Sequence, residues 1–267
     1  MMLPVLYQDH HLVAVHKPSG LLVHRSPIDR HETRFALQMV RDQLGQTVYA
    51  AHRLDKGTSG VLVFGLTPEA GRALSQTFET QQARKTYVAI VRGHPLGEGR
   101  IDHALSRQHD DHDPGAGRVP TAPQPALTLY RRLAIAEMPW TVDGRYPTTR
   151  YALMALHPET GRRHQLRRHM KHIAHPIIGD ATHGKGVHNR VFARETGVQR
   201  LLLAAVELAL PHPVTGAPLV LTAPLAEDFM QAATRLGWQE AVPASWRPQL
   251  PAGSGTIAAF DPETPSC

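Results

Sequence analysis

The sequence predicts an α+β fold, and three observations carry that prediction. Apolar runs of strand length outnumber amphipathic stretches of helical period. The two kinds do not alternate regularly, as a doubly wound parallel sheet would require. With 267 residues and no internal repeat, the chain can bury a sizeable core without disulfides or a metal.

Taken in order, residues 12–15 form a short apolar run read as a strand, ended by the turn residues Lys17-Pro18-Ser19-Gly20. Leu21-Leu22-Val23 resumes a strand, and the polar, proline-bearing segment 24–31 reads as a loop. Residues 33–44 predict a helix: Leu37, Val40 and Leu44 recur at helical spacing, Thr33 is placed to cap its start, and Gly45 stands at the C′ position. The run Val61-Leu62-Val63-Phe64 is a buried strand. Thr67-Pro68-Glu69 opens the next helix with a capping hydroxyl, a first-turn proline and an acid near the positive dipole end. Ala70, Ala73, Leu74 and Phe78 give that helix its apolar face. Residues 85–91 are a strand whose pleat sets Tyr87, Ala89 and Val91 on one side.

Residues 94–125 are rich in Gly, Pro, His and Asp and read as a variable surface excursion, with at most a short element around 101–105. Strands follow at 126–133 and 150–156, and a turn at 157–161. Residues 163–173 predict a helix with Leu166, Met170 and Ile173 as its stripe and Arg163, Arg167 and Lys171 laddered along one flank. A buried strand at 201–210 turns through His212-Pro213-Val214-Thr215-Gly216 into a hairpin partner at 218–222, and a helix spans 226–236. Beyond Ala241 periodicity is lost and prolines are frequent, so 241–267 is expected to be a poorly ordered tail behind one domain at 1–240.

Composition narrows the function classes. The formal net charge is +6, which suits a polyanionic partner such as RNA. The one cysteine, Cys267, excludes an intrachain disulfide and points to a reducing, cytoplasmic setting. Neither a signal peptide nor an apolar stretch long enough for a bilayer is present, so no membrane association is expected.

The segment most able to carry chemistry is His52-Arg53-Leu54-Asp55-Lys56-Gly57-Thr58-Ser59-Gly60. It sets one carboxylate, Asp55, among cations and hydroxyls directly before a buried strand, a common way to hold a reactive group at the rim of a sheet. Read locally, the same stretch is equally a solvated turn. Tyr87 reads as a stacking ring or as core packing, Arg167 as a surface arginine on a basic helix, and Arg53 as a phosphate contact or a surface arginine.

Larger motifs weigh these alternatives. His-Arg-Leu-Asp, two residues, then Thr-Ser-Gly resembles the catalytic motif of the RluA-type pseudouridine synthases. Lys17-Pro18-Ser19-Gly20 resembles that family's first motif, and 85–93 the motif supplying an active-site tyrosine. Residues 160–167 with 175–180 resemble the third, and His212-Pro213-Val214-Thr215-Gly216 with Ala223-Pro224-Leu225 the closing hairpin. The resemblance runs in family order from about Leu6 to Leu236. It departs where many relatives have Leu-Gly before the His-Pro of the third motif and this chain has Ile173-Ala174. The stretches 24–30 and 144–151 narrow it to members that modify uridine 65 of tRNA.

What the resemblance implies is a pseudouridine synthase fold: a mixed, mainly antiparallel sheet flanked by helices, with a central RNA-binding catalytic cleft and no separate amino-terminal RNA-binding domain. It implies isomerisation of uridine, which involves no redox step and needs no cofactor. Asp55 is then the nucleophile or base acting on the ribose, Tyr87 stacks on uracil or assists at C5, and Arg167 accompanies the carboxylate. Arg53 helps extrude the target base, while Lys17, Arg162, Arg163, His164, Arg168 and Lys171 are expected to bind RNA, with a monomer as the acting unit. His164, His169, His172 and His175, and a second group at 109–113, match no metal-ligand spacing, so no metal is expected. The first group suits an RNA-facing surface. Competing functions are a noncatalytic RNA-binding protein of the same fold, a metal-dependent hydrolase, and a synthase acting on ribosomal RNA.

Overall fold

A computed structural model describes residues 2–25, 31–106, 122–142 and 144–248. Among these the strands form one ten-stranded sheet, in the order β1-β2-β4-β9-β5-β8-β7-β6, with β3 added on β4 and β10 on β9. The strands are β1 (Val5–Gln8), β2 (Leu12–Lys17), β3 (Tyr49–Ala50), β4 (Ser59–Gly65), β5 (Arg84–Arg92), β6 (Glu98–Asp102), β7 (Leu127–Met138), β8 (Thr149–Pro158), β9 (Leu203–Pro211) and β10 (Pro218–Thr222). The helices are α1 (Ala36–Leu44), α2 (Pro68–Glu79), α3 (Gln165–His172), α4 (Gly186–Thr196) and α5 (Glu227–Arg235). No helix of the described residues is long and apolar enough to cross a membrane. The α+β expectation holds.

Every strand pair is antiparallel except β4 with β9, which run parallel over two residue pairs, Ser59 with Ala204 and Gly60 with Ala205. Beyond that junction β4 is flanked by β3 and β9 by β10, so the sheet forks. Gly60 makes the junction possible. Its φ is +119°, and a Cβ there would collide with the Ala205 carbonyl.

Burial divides between the sheet's two sides. Leu12, Ala14, Val61 and Val63 pack with Leu74 of α2, while Val13, Val15, Leu62 and Phe64 pack with Ala36 and Val40 of α1. In the other half, Val88 and Ile90 face Phe192 of α4 and Phe229 of α5, while Ala89 and Val91 face Leu166 and Met170 of α3. The alternation expected along β5 therefore holds.

Several elements depart from the sequence reading. α1 starts at Ala36 rather than Thr33, because Phe35 is buried and the first helical amides find other acceptors: Ala36 N–H donates to the Leu22 carbonyl (2.8 Å) and Leu37 N–H to that of Val23 (3.0 Å). Residues 21–23 thus cap a helix instead of forming a strand. β1 and α4 were not anticipated, and the short element expected around 101–105 is β6, which starts earlier, at Glu98; α4 has no side-chain cap and buries only Val191, Phe192 and Thr196. The excursion at 94–125 contains β6, paired along β7, and β7 runs on to Met138. The chain beyond Ala241 stays packed through Trp246: Val242 and Trp246 join the core around Phe229 and Trp238, and Leu225 N–H donates to the Trp246 carbonyl. The remainder of the expected tail, the histidine group at 109–113 and most of the segment 24–30 lie outside the described residues.

A polar clasp joins the turn between β1 and β2 to the end of β9, across the open end of the fork. Asp9 accepts from the backbone N–H of His11 (2.7 Å) and Leu12 (2.9 Å), from Tyr7 Oη (2.8 Å) and from His212 Nε2 (2.8 Å). Burial opposes its charge, but these donors outweigh burial and hold its pKa at about 2, against the ordinary 3.8. A depressed carboxylate contributes stability that is fully present above the ordinary pKa and is lost as pH falls through the folded one. Asp9→Ala should cost about 2 kcal/mol at pH 6, chiefly through donors left without an acceptor. The difference in Tm between wild type and variant should shrink steadily from pH 4 to pH 2. A difference that stays constant over that range would show that the clasp does not act through the carboxylate's charge.

Candidate active site

The loop before β4 is built by the turn that follows β2. Lys17 Nζ donates to the carbonyls of Leu21 (2.7 Å), Pro18 (3.0 Å) and Lys56 (3.2 Å). Gly20 N–H donates to the Lys56 carbonyl (2.8 Å), and Ser19 Oγ to the Gly57 carbonyl (2.7 Å). Thr58 N–H closes the turn on the Asp55 carbonyl (3.0 Å), and Leu54 is buried as its apolar root. Lys17 is 0% exposed, so it cannot meet a phosphate. The RNA contact expected of it is corrected to a structural tie, with three carbonyls matching the three ammonium hydrogens. Burial, with Arg200 nearby, lowers its pKa to about 7.

His52 fixes the other end of the loop. Its Nε2 accepts the Val63 N–H (3.0 Å), and its ring stacks on Phe78 of α2 at 4.3 Å. Burial, and secondarily Lys85, lowers it to about 3, so it is a neutral acceptor at neutral pH. Asp55 is left at the mouth between these anchors.

α3 brings the cationic partner. Arg167 Nε and Nη2 form a two-pronged bridge to Asp180 (2.7 and 2.8 Å), and Nη1 donates to Asp55 Oδ2 (3.2 Å). The guanidinium side chain is 10% exposed and that of Asp180 0%. Burial opposes both charges, yet the pair's mutual hydrogen bonds prevail: Arg167 is raised and Asp180 lowered. Asp180 is further held by the backbone N–H of Thr182 (2.9 Å) and His183 (2.8 Å). Arg167 therefore turns inward from the flank it shares with Lys171, which stays exposed.

The start of α3 is pinned by Gln165. Its amide donates to the Leu127 carbonyl and Thr128 Oγ1, and accepts from Thr160 Oγ1 and Arg162 N–H. Sequence reasoning passed over Gln165, Asp180 and His183, since their partners come from distant segments. Ala174, where many relatives of the resembled family have glycine, takes a left-handed φ of +65°, a conformation that costs a residue with a Cβ.

Tyr87 reaches the site through register. One row across the sheet runs Lys17, Gly60, Ala205, Tyr87, Leu156, and an irregularity between Thr86 and Tyr87 re-aims β5 at this point. Burial, and then the Asp55 carboxylate, raise the Tyr87 phenol above its ordinary range. It stays protonated at neutral pH and can donate a hydrogen bond or offer a ring face.

Two cavities meet at Asp55. One, of about 560 Å³, is lined by Tyr87, Leu166, Leu203, Lys85 and Arg162. The other, of about 530 Å³, is lined by Ser19, Gly20, Lys56, Arg163 and Arg200. Arg53, Leu54, Asp55, His164 and Arg167 line both. The structure thus brings Asp55, Tyr87, Arg167, Arg53, Arg162, Arg163 and His164 together. It leaves out Lys17, Arg168 and Lys171. Arg168 is occupied with Ser106, and Lys171 lies exposed beyond both cavities. The expected RNA-facing histidine surface is corrected for His169 and His175, while His164 lines both cavities and His172 is exposed. His169 is fully buried between Thr128 and the His103 carbonyl, His175 bonds the Arg92 carbonyl, and His172 stacks on His103.

The chain resembles known proteins over most of its length. Residues 11–172 match the model of a family described as RNA pseudouridylate synthase. A Pectobacterium carotovorum protein named tRNA pseudouridine synthase C is 53% identical over 254 residues, 95% of this chain and 67% of that one. Its Salmonella typhimurium namesake is 51% identical over 253 residues, 95% of this chain and 97% of that one. Among solved structures, Human RNA Pseudouridylate Synthase Domain Containing 4 superposes with a TM-score of 0.64 at 26% identity, covering 88% of this chain and 93% of that one.

Removing one partner of a buried ion pair leaves an uncompensated charge, and the loss runs to about 3–5 kcal/mol. Asp180→Ala should show that loss in urea unfolding, since Arg167 would keep only Asp55. A change below about 1 kcal/mol would mean that Asp180 does not support Arg167.

Proposed function

This chain belongs to the RNA pseudouridylate synthase family, and from that premise we propose that it converts a uridine of tRNA to pseudouridine. The two curated relatives, half identical over nearly the whole chain and named for tRNA, support tRNA over ribosomal RNA. Uridine 65 is the position expected from the narrower resemblance at 24–30 and 144–151. The observation that carries the reading is the Asp55 carboxylate, bonded to a buried Arg167 where two cavities join and Tyr87 lines one of them.

The isomerisation breaks the C1′–N1 bond, turns the base and joins C1′ to C5. N1 gains a proton and C5 loses one, so nothing is oxidised and no cofactor enters. Asp55 acts on the ribose, attacking C1′ or taking the C2′ proton. Arg167 stabilises the carboxylate through a charge-assisted bond and does not move, because Asp180 holds its other edge. The Tyr87 cavity takes the uracil, its ring offering a stacking face to the base as it turns. Because the phenol is held protonated, Tyr87 assists C5 as a hydrogen-bond donor or relay rather than as a standing phenolate. Arg162 and Arg163, which line one cavity each, bind the phosphates on either side in this reading.

Taking a base out of a paired stem costs about a few kcal/mol. Arg53 is exposed at the junction of both cavities and is the side chain placed to fill the vacated stack. Arg53→Ala should slow modification of folded tRNA by about tenfold or more and that of a short unstructured RNA of the same sequence by less than about threefold. Both rates are read at saturating RNA, with the product position mapped in the tRNA. Equal losses on the two substrates would remove Arg53 from base extrusion. Wild-type enzyme that leaves uridine 65 unmodified would overturn that position, and one that modifies ribosomal RNA alone would overturn tRNA as the substrate.

A further inference from the structure

His164 stands at the amino end of α3 in a left-handed conformation, φ +54° and ψ +25°. A residue with a Cβ holds that conformation only where its surroundings require it, and such positions cluster at functional sites. Its ring lines both cavities. Nε2 lies 3.9 Å from Asp55 Oδ2, and Nδ1 lies 3.1 Å from Nε2 of His183. The two imidazoles meet edge to face at 77°. His183 is buried, and its backbone N–H is tied to Asp180, so it is fixed to the same support that holds Arg167.

This arrangement selects one tautomer. A proton on His164 Nδ1 would leave the Nε2 lone pair facing the Asp55 carboxylate. A proton on His183 Nε2 instead donates to His164 Nδ1 and turns a His164 Nε2–H toward Asp55. Both rings are neutral at neutral pH. Burial lowers His164, with Arg167, His183 and Arg163 adding to the shift and Asp55 opposing it. Burial also lowers His183, with Arg167, Lys171 and Arg168 adding and Asp180 opposing. At 3.9 Å the Nε2–H is too far from the carboxylate for a full hydrogen bond, so its proton is left for an acceptor seated beside the two groups, off the line that joins them.

We propose that His183 is a positioning residue that fixes His164 to donate its Nε2–H to the 2′-hydroxyl oxygen of the target ribose. The sugar must lie against Asp55 for C1′ or C2′ to react, and the 2′-oxygen is the acceptor on the carbon next to C1′. The contact reads RNA against DNA at the reacting nucleotide. It rests on the pseudouridine synthase reading above.

The test compares wild type, His183→Leu and His183→Gln on tRNA carrying uridine or 2′-deoxyuridine at the target, in single-turnover rate at saturation. The deoxy substrate should slow wild type by about tenfold, the loss of one hydrogen bond, beyond any slowing it causes in His183→Leu. His183→Leu should be slowed to a similar degree on the normal substrate and be nearly indifferent to the deoxy substitution. His183→Gln, whose amide can still donate, should restore most of the discrimination. An equal deoxy penalty in wild type and His183→Leu would overturn the proposal. Nitrogen-15 NMR of His164 in the substrate-free wild type gives a second readout that no unfolded variant can obscure. A proton on Nε2 supports the proposal, and a proton on Nδ1 refutes it whatever the activity. Absence of pseudouridine from wild-type reactions would instead sink the underlying activity and leave the tautomer result standing.

Discussion

The site depends on one guanidinium shared between two carboxylates. Arg167 spends two nitrogens on Asp180 and the third on Asp55, so the reactive group is located by a side chain that is itself immobilised. Burying that cation is costly, and only a partner as dry as Asp180 offsets the cost. A lysine could not serve, because a point charge cannot hold a bidentate contact and a third acceptor in one plane. The fork joins α3, the segment after Ile178 and the loop before β4, three pieces far apart in sequence. Misplacing any of them displaces Asp55.

The sheet supplies the second constraint. β4 and β9 meet in parallel at only two residue pairs, and that junction exists because Gly60 has no Cβ. The loop bearing Asp55 leads into that junction, and the strands part beyond it. The same row carries Tyr87 on β5 and Lys17 on β2, so one line of register sets ring, carboxylate loop and buried ammonium side by side. Lys17 links the two loops by donating to carbonyls of both.

Much of this was legible in the sequence where local chemistry decides the structure. The capped start of α2 is seen as written: Thr67 Oγ1 accepts the Ala70 N–H. β4 follows from four consecutive apolar residues, and Asp55 from the ordered motif around it. What was not legible depends on distant partners. Thr33 looked like a cap, but backbone carbonyls of residues 22 and 23 satisfied the helix instead. Lys17 looked like an RNA contact because nothing local announces three converging carbonyls. Arg167 was assigned to the carboxylate by resemblance, yet its inward turn depends on Asp180, thirteen residues on. α4 escaped because it has no side-chain cap and little apolar surface.

The account stands on the Asp55 carboxylate performing the chemistry rather than only binding RNA. The most direct measurement is single-turnover formation of pseudouridine in tRNA by Asp55→Asn, prepared free of wild-type enzyme, alongside its tRNA affinity. The amide matches the carboxylate in size but cannot act as nucleophile or base. The account predicts no product, with affinity changed by less than about tenfold. Measurable turnover by the purified variant would contradict it.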